Sequence, residues 1–317
     1  MNDLRARIAG HSWTLWPTVR HRVVPVTAPD SVPWSAPALA DIGEIRLSGR
    51  WQAQPCTVAV VVLHGLGGNP DRPYCLRAAR AIEGHGWSCL RLAMRGADGR
   101  GRDFYHAGLI SDLDAALSSP VFDAYERIVL LGYSLGGHVA LRYACDRPDP
   151  RVKAVAAVCS PLDLDRAAAH LDHHALSFYR RHVLDGLLRM YTEVSTKRPV
   201  PTPPEELAGI DSMREWDQLT VCPRWGFGSA EEYYATQSVA HVLRYLHLPS
   251  LLVVSRQDPM IPIDDVEASI GNANPLLEVR RVGAGGHVGF PGRLDLGEDA
   301  PRGLERQVLR WMERRLR

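Results

Sequence analysis

The sequence predicts an α/β fold with a mostly parallel central sheet, helices on both faces, and a helical insertion after the sixth strand. Three observations carry this expectation. Short, apolar runs recur along the chain, as strands buried on both faces require. Helical patterns separate most of them, and strand–helix alternation implies parallel pairing with crossover helices. The chain has 317 residues, 45% hydrophobic and 23% charged, enough for one large core in an ordinary globular protein.

The elements follow in order. Residues 1–50 are rich in Pro and Trp and read as an N-terminal extension packing on the core, with one or two leading strands around 42–51. Residues 57–63 (TVAVVVL) form the first clear buried strand, followed by strands at 87–92, 127–131, 152–159, 251–254 and 277–282. Helices are expected at 72–83, 107–117, 137–145, 263–270 and 303–316. The alternation breaks after 152–159. Helical patterns (163–192), a Pro-rich stretch (KRPVPTPPEE) and another helix near 230–245 fill the gap before the next strand. We read 160–248 as an insertion or cap over the C-terminal edge of the sheet, where long excursions usually cover a binding site. The whole of 1–317 is then a single domain.

Composition excludes several function classes. There are 37 Lys+Arg against 36 Asp+Glu, a net charge of +1. That balance argues against a polyanion binder, so no nucleic-acid partner is expected. Only Lys153 and Lys197 are lysines, which leaves 35 arginines. Arginine forms no Schiff base and shuttles no protons. Neither lysine follows a Gly-rich loop, so a Walker-type phosphate loop is absent. Six cysteines (56, 75, 89, 145, 159 and 222) form no C-x-x-C pair and read as free thiols of a reducing compartment. The N-terminal stretch lacks an apolar signal core, and no run approaches the ~18 apolar residues of a membrane helix. A cytoplasmic protein without an integral membrane segment is the expectation.

The sharpest motif is Gly132-Tyr133-Ser134-Leu135-Gly136, between the strand RIVLL and the helix GHVALRYACD. A G-x-S-x-G in that context is a nucleophile elbow, a strained turn that lifts the serine Oγ above the sheet. The following helix N-terminus adds positive potential where an oxyanion would develop. A serine needs a base, and the base needs an orienting carboxylate. In the order Ser, acid, His, each after a later strand, these are Asp258 in SRQDPMIP and His287 in GAGGHVGF. Gly283, Gly285, Gly286 and Gly289 leave open backbone around His287. Asp264 and Asp265 compete for the acid role but suit the start of the next helix. Asp163 is a weaker candidate. The strand TVAVVVL runs into His64-Gly65-Leu66-Gly67-Gly68, whose amides can face the elbow. The oxyanion donors are assigned to the amides of Leu66 and Leu135, and His64 to bracing the loop. A dinucleotide loop is excluded because Pro70 stands where a third glycine is required.

With these stretches in view, the chain resembles the serine α/β-hydrolase superfamily, and within it the YheT-like group. The match runs through GHSWTLWP, LHGLGGNP, MRGADG with FYHAGLISDL, GYSLGG, CSPLDL, WGFGSAEEYYATQS, VVSRQDPMIP and GGHVGF. It spans nearly the whole chain. The resemblance implies an α/β-hydrolase fold, a Ser134–Asp258–His287 triad, and an esterase or lipase acting on a small-molecule ester or lipid-like substrate. Ala97-Asp98 and Ala107 depart from the group's usual residues. Both lie off the triad and bear on substrate selection.

Fainter signals remain. His170, His173 and His174 share a helical segment with Asp172, but no third metal ligand is identifiable, and a solvated insertion helix is the simpler reading. Arg95, Arg100 and Arg102 cluster near the expected site edge, where a guanidinium could hold an anionic substrate group or simply decorate a turn. Arg95, Tyr105, Trp225 and Phe227 are taken as candidate substrate contacts. The expected chemistry is carboxylic ester hydrolysis through an acyl-enzyme, requiring no metal, nucleotide or flavin. Two alternatives stand beside it: an acyltransferase using the same acyl-enzyme, and a non-catalytic binding protein of the same fold.

Overall fold

The structure is a computed structural model that describes residues 2–146 and 148–316. Helix α1 (Asn2–Val23) leads into strands β1 (Val32–Ala40) and β2 (Gly43–Gln52). Strands and helices then alternate through β3 (Val58–Leu63), α2 (Pro73–Gly84), β4 (Ser88–Ala93), α3 (Ser111–Leu117), β5 (Arg127–Tyr133), α4 (Leu135–Ala144) and β6 (Val152–Val158). A helical insertion follows: α5 (Leu164–Asp172), α6 (Ser177–Ser195), α7 (Pro204–Leu207), α8 (Met213–Leu219), α9 (Val221–Trp225) and α10 (Ala230–Gln237). The chain returns through β7 (Ser250–Ser255), α11 (Ile263–Ile270), β8 (Leu277–Val282) and α12 (Leu304–Glu313).

The sheet order is β1-β2-β4-β3-β5-β6-β7-β8. β1–β2 and β2–β4 pair antiparallel, and the remaining pairs are parallel. The apolar strands explain the layering. Val58, Val60 and Val62 of β3 point to one face, into a core with Ala79 and Ile82 of α2 and Val308 and Leu309 of α12. Ala59, Val61 and Leu63 point to the other, into a core with Val139 and Leu141 of α4 and Leu187 and Trp216 of the insertion. Each Val or Leu buried this way contributes about 1.5–3 kcal/mol of transfer free energy. A one-residue slip would exchange the two faces, so packing fixes the register.

Several elements differ from the sequence expectation, and β1 lies ahead of the leading strands expected around 42–51. α1 was not foreseen, because Pro17 lies inside it; its Leu15, Trp16, Val19 and Val23 stay exposed. Proline removes the amide that would bond the carbonyl four residues earlier. That carbonyl, of Trp13, instead lies directly against Gly289, where a side chain would collide with it. α3 starts at Ser111, not 107. The amide of Ala107 donates to Tyr233 Oη (2.9 Å) and that of Gly108 to His106 Nδ1 (3.2 Å), which diverts the backbone from helix. β8 is an edge strand, and most of its LEVRRV side chains are only half-buried.

Candidate active site

The elbow forms as its glycines require. Ser134 sits between β5 and α4 at φ 53°, ψ −123°. A non-glycine residue held there stores about 1–3 kcal/mol, which the surrounding packing must maintain. A Cβ at Gly132 would strike the Gly136 carbonyl, and one at Gly136 would strike the Leu63 and His64 carbonyls. β5 and α4 can therefore close on β3 only with glycine at both positions.

Ser134 Oγ donates to His287 Nε2 at 2.9 Å, and His287 Nδ1 donates to Asp258 Oδ2 at 2.9 Å. The other carboxylate oxygen, Asp258 Oδ1, accepts from the amides of Met260 (2.8 Å) and Ile261 (3.1 Å). The imidazole is thus held in one tautomer, with Nε2 free to accept the serine proton. Both His287 and Asp258 are buried. Cys159, at φ 50° after β6, brings Sγ within 4.8 Å of ligand atoms of Asp258 and His287. Burial pushes its thiol well above the ordinary range, so it stays protonated. The competing acids are used elsewhere. Asp163 caps α5 by accepting from the Arg166 amide, and Asp264 and Asp265 lie in the first turn of α11.

The loop after β3 lies against the elbow. A Cβ at Gly65 would approach Ser134 Cβ to 3.0 Å. Its amides are divided between two duties. Gly65 N donates to Tyr74 Oη, Gly67 N to Tyr105 Oη and Gly68 N to Gly65 O. Among the described residues, the amides of Leu66 and Leu135 donate to no acceptor outside helix or strand pairing, and Leu135 is the first residue of α4, where amides are orphaned. His64 is fully buried. Its Nε2 accepts from the Met94 amide (3.1 Å), so its Nδ1–H donates to the Gly65 carbonyl (2.8 Å). Burial lowers its pKa to about 4, so it braces the loop as a neutral ring.

A cavity of about 320 Å³ opens over Ser134 and His287. Its walls include Leu66, Leu135 and Tyr105, then apolar side chains of the insertion such as Leu171, Val183, Leu187 and Trp216. α1 contributes Thr14, Leu15, Pro17 and Val19.

A family model described as the alpha/beta hydrolase fold matches residues 58–293. The chain belongs to the α/β-hydrolase fold family. Its sequence is 27% identical to YheT of Escherichia coli over 293 residues, covering 89% of this chain and 84% of that protein. It is 25% identical to the medium-chain fatty acid ethyl ester synthase/esterase 2 of Saccharomyces cerevisiae, covering 73% of this chain and 57% of that one. Among solved structures, an esterase of Pyrococcus furiosus superposes with a TM-score of 0.53 at 17% identity, covering 83% of this chain and 89% of that one. The α/β hydrolase GrgF from Penicillium does so with a TM-score of 0.51 at 18% identity, covering 81% and 91%.

In this α/β-hydrolase the remaining predicted site residues divide sharply. Tyr105 lines the cavity and also braces the Gly67 amide. Arg95, Trp225 and Phe227 do not line it. Arg95 is buried, with Nε and Nη2 on Asp112 (3.1 and 2.5 Å) and Nη1 on Asp103 (3.0 Å). Its donors are spent on structure. Arg100 is exposed beside Asp98, and Arg102 is exposed too. Trp225 packs against the Arg224 and Arg95 guanidinium groups, 4.2 and 5.3 Å from its ring, and Phe227 packs on Tyr233. Both form a layer behind His106. His170 Nε2 bonds the Pro259 carbonyl, and Asp172 accepts from Ser212 Oγ and the Met213 amide at the start of α8.

Sequence reasoning missed Thr14. Its Oγ1 accepts from the His287 amide at 2.8 Å while donating to Gly10 O. The GHSWTLWP stretch held the signal, as a match with no assigned duty.

Proposed function

We propose that this protein is a serine hydrolase of carboxylic esters. The observation that carries the reading is the continuous chain of two 2.9 Å hydrogen bonds, Ser134 to His287 to Asp258, at the floor of an apolar cavity. Ser134 Oγ attacks the acyl carbonyl while His287 Nε2 takes its proton. Asp258 fixes the tautomer and stabilises the imidazolium. The Leu66 and Leu135 amides receive the tetrahedral oxyanion, and losing one such donor typically costs about 100–1,000-fold in rate. His287 returns the proton to the leaving alcohol. It then activates a water that releases the acyl group and regenerates Ser134.

In this proposal residues 160–248 act as a cap on a single domain spanning 1–317, and 1–50 pack beside the site. The substrate is a small-molecule ester or lipid-like ester, matched to a cavity whose walls are mainly apolar. No helix is long and apolar enough to cross a membrane among the described residues. Six free cysteines support a reducing, cytoplasmic setting for the proposed enzyme.

A second reading keeps the acyl-enzyme and delivers it to an alcohol. The yeast relative whose name joins synthase to esterase favours it. The test is a panel of p-nitrophenyl esters of graded acyl length, with and without added alcohol, beside Ser134→Ala. Hydrolysis lost in the variant supports the proposal. Ester products that outgrow free acid on adding alcohol support transfer. Equal activity in Ser134→Ala removes both.

A further inference from the structure

Among the described residues, the cavity walls carry one carboxyl group, and the proposed chemistry does not use it. Asp217, on α8, lines the cavity beside Met213, Trp216 and Val221. Its Oδ2 accepts from Tyr234 Oη at 2.7 Å. Its Oδ1 has no hydrogen-bond partner among the described residues. Asp217 is half-buried, and its open oxygen becomes costly once an apolar ligand covers it, unless something meets its remaining hydrogen-bonding capacity. Burial raises its pKa to about 7, against the partial relief given by the Tyr234 hydroxyl. A neutral carboxyl can both donate and accept, and an ionised one accepts.

We infer that Asp217, held by Tyr234, is a specificity-determining residue that selects an acyl chain bearing a hydroxyl group remote from the ester. This rests on the ester-hydrolase reading above. The acyl portion is chosen because it is the part that stays on Ser134 in the proposed acyl-enzyme. An alkyl chain attached at Ser134 can run along the apolar wall formed by Leu171, Val183, Leu187 and Trp216. A hydroxyl on that chain meets the open oxygen of Asp217. An unsubstituted chain of equal length covers that oxygen and gives it no partner.

The experiment compares p-nitrophenyl octanoate with p-nitrophenyl hydroxyoctanoates whose hydroxyl is stepped along the chain. The enzymes are the wild type, Asp217→Asn and Asp217→Leu, each checked for folding by circular dichroism. At one or more positions the hydroxyl should raise wild-type kcat/KM about tenfold, the worth of one buried hydrogen bond. Asp217→Asn, which keeps donor and acceptor, should retain most of that preference. Asp217→Leu should lose it and favour the plain chain. Binding of the free hydroxyoctanoic and octanoic acids, measured by calorimetry, reads the same preference without turnover. No preference at any position, or a preference that survives Asp217→Leu, would overturn the inference. Absence of turnover with every ester would sink the hydrolase reading instead, while the calorimetric comparison still decides this one.

Discussion

The amide of His287 donates to Thr14 Oγ1 at 2.8 Å across 273 residues of sequence. α1 thereby supports the histidine loop from behind. The same helix meets the acid loop, because Gly10 packs so closely on Gln257 that a Cβ would overlap the Gln257 carbonyl. Gly286 likewise packs on Gly10 and Thr14. The N-terminal helix therefore touches the loops of both Asp258 and His287, which fixes the distance between them.

Thr14→Val keeps the shape and removes the acceptor. It should lower kcat about tenfold, because small misplacements of a reacting group are costly, and leave KM nearly unchanged. Steady-state kinetics on a short-chain ester checks this, and thermal unfolding separates it from a general loss of stability. An unchanged kcat would mean that the histidine loop is positioned without α1.

The buried charges around residue 95 lead to a stability prediction. Asp103 is fully buried and accepts from Arg95, Arg198 and Arg224. Arg198 and Arg224 come from the insertion and Arg95 from the loop after β4, so one carboxylate ties the insertion to the sheet. Asp103→Ala removes the carboxylate the three share: Arg95 keeps Asp112 and Arg224 keeps Asp41, while Arg198 loses its ion pair, and the three guanidinium groups repel one another across the gap. The expected loss is about 3–5 kcal/mol, read as a lower urea midpoint.

Much of this was legible in the sequence, for identifiable reasons. β3, β5, β6 and β7 are buried on both faces, so their sequences are nearly continuous apolar runs and their bounds emerge within a residue or two. The elbow was legible because closing α4 onto β3 leaves no room for side chains at 132 and 136. Asp258 and His287 followed from their places after β7 and β8. The duty of Arg95 was not legible. A guanidinium near a site edge suits an anionic ligand as well as it suits Asp112 and Asp103, and only the fold brings those carboxylates to it. α1 was hidden by Pro17, a residue that ordinarily ends or breaks a helix.

Asp217 predicts a pH dependence of stability. Its folded pKa of about 7 lies above the ordinary 3.8 of the unfolded chain, mainly through burial. Between those values the folded state holds the extra proton, so stability falls as pH rises from about 4 to about 7. Tyr234 and Arg214 oppose the shift and Asp172 adds to it. Asp217→Asn removes the titration. Relative to wild type, the variant should gain roughly 1–3 kcal/mol on going from pH 4 to pH 8. Urea denaturation across that range checks it, and a constant difference between the two proteins would contradict it.

The most direct test of the account is reaction with a fluorophosphonate followed by peptide mass spectrometry. An activated serine with two oxyanion donors should be phosphonylated stoichiometrically on the peptide containing Ser134. Ser134→Ala should not react, and it should lose more than about 10⁴-fold in ester hydrolysis while remaining folded. A folded wild-type protein that stays unlabelled while a control hydrolase reacts, or a label on another residue, would contradict the assignment of Ser134 as nucleophile.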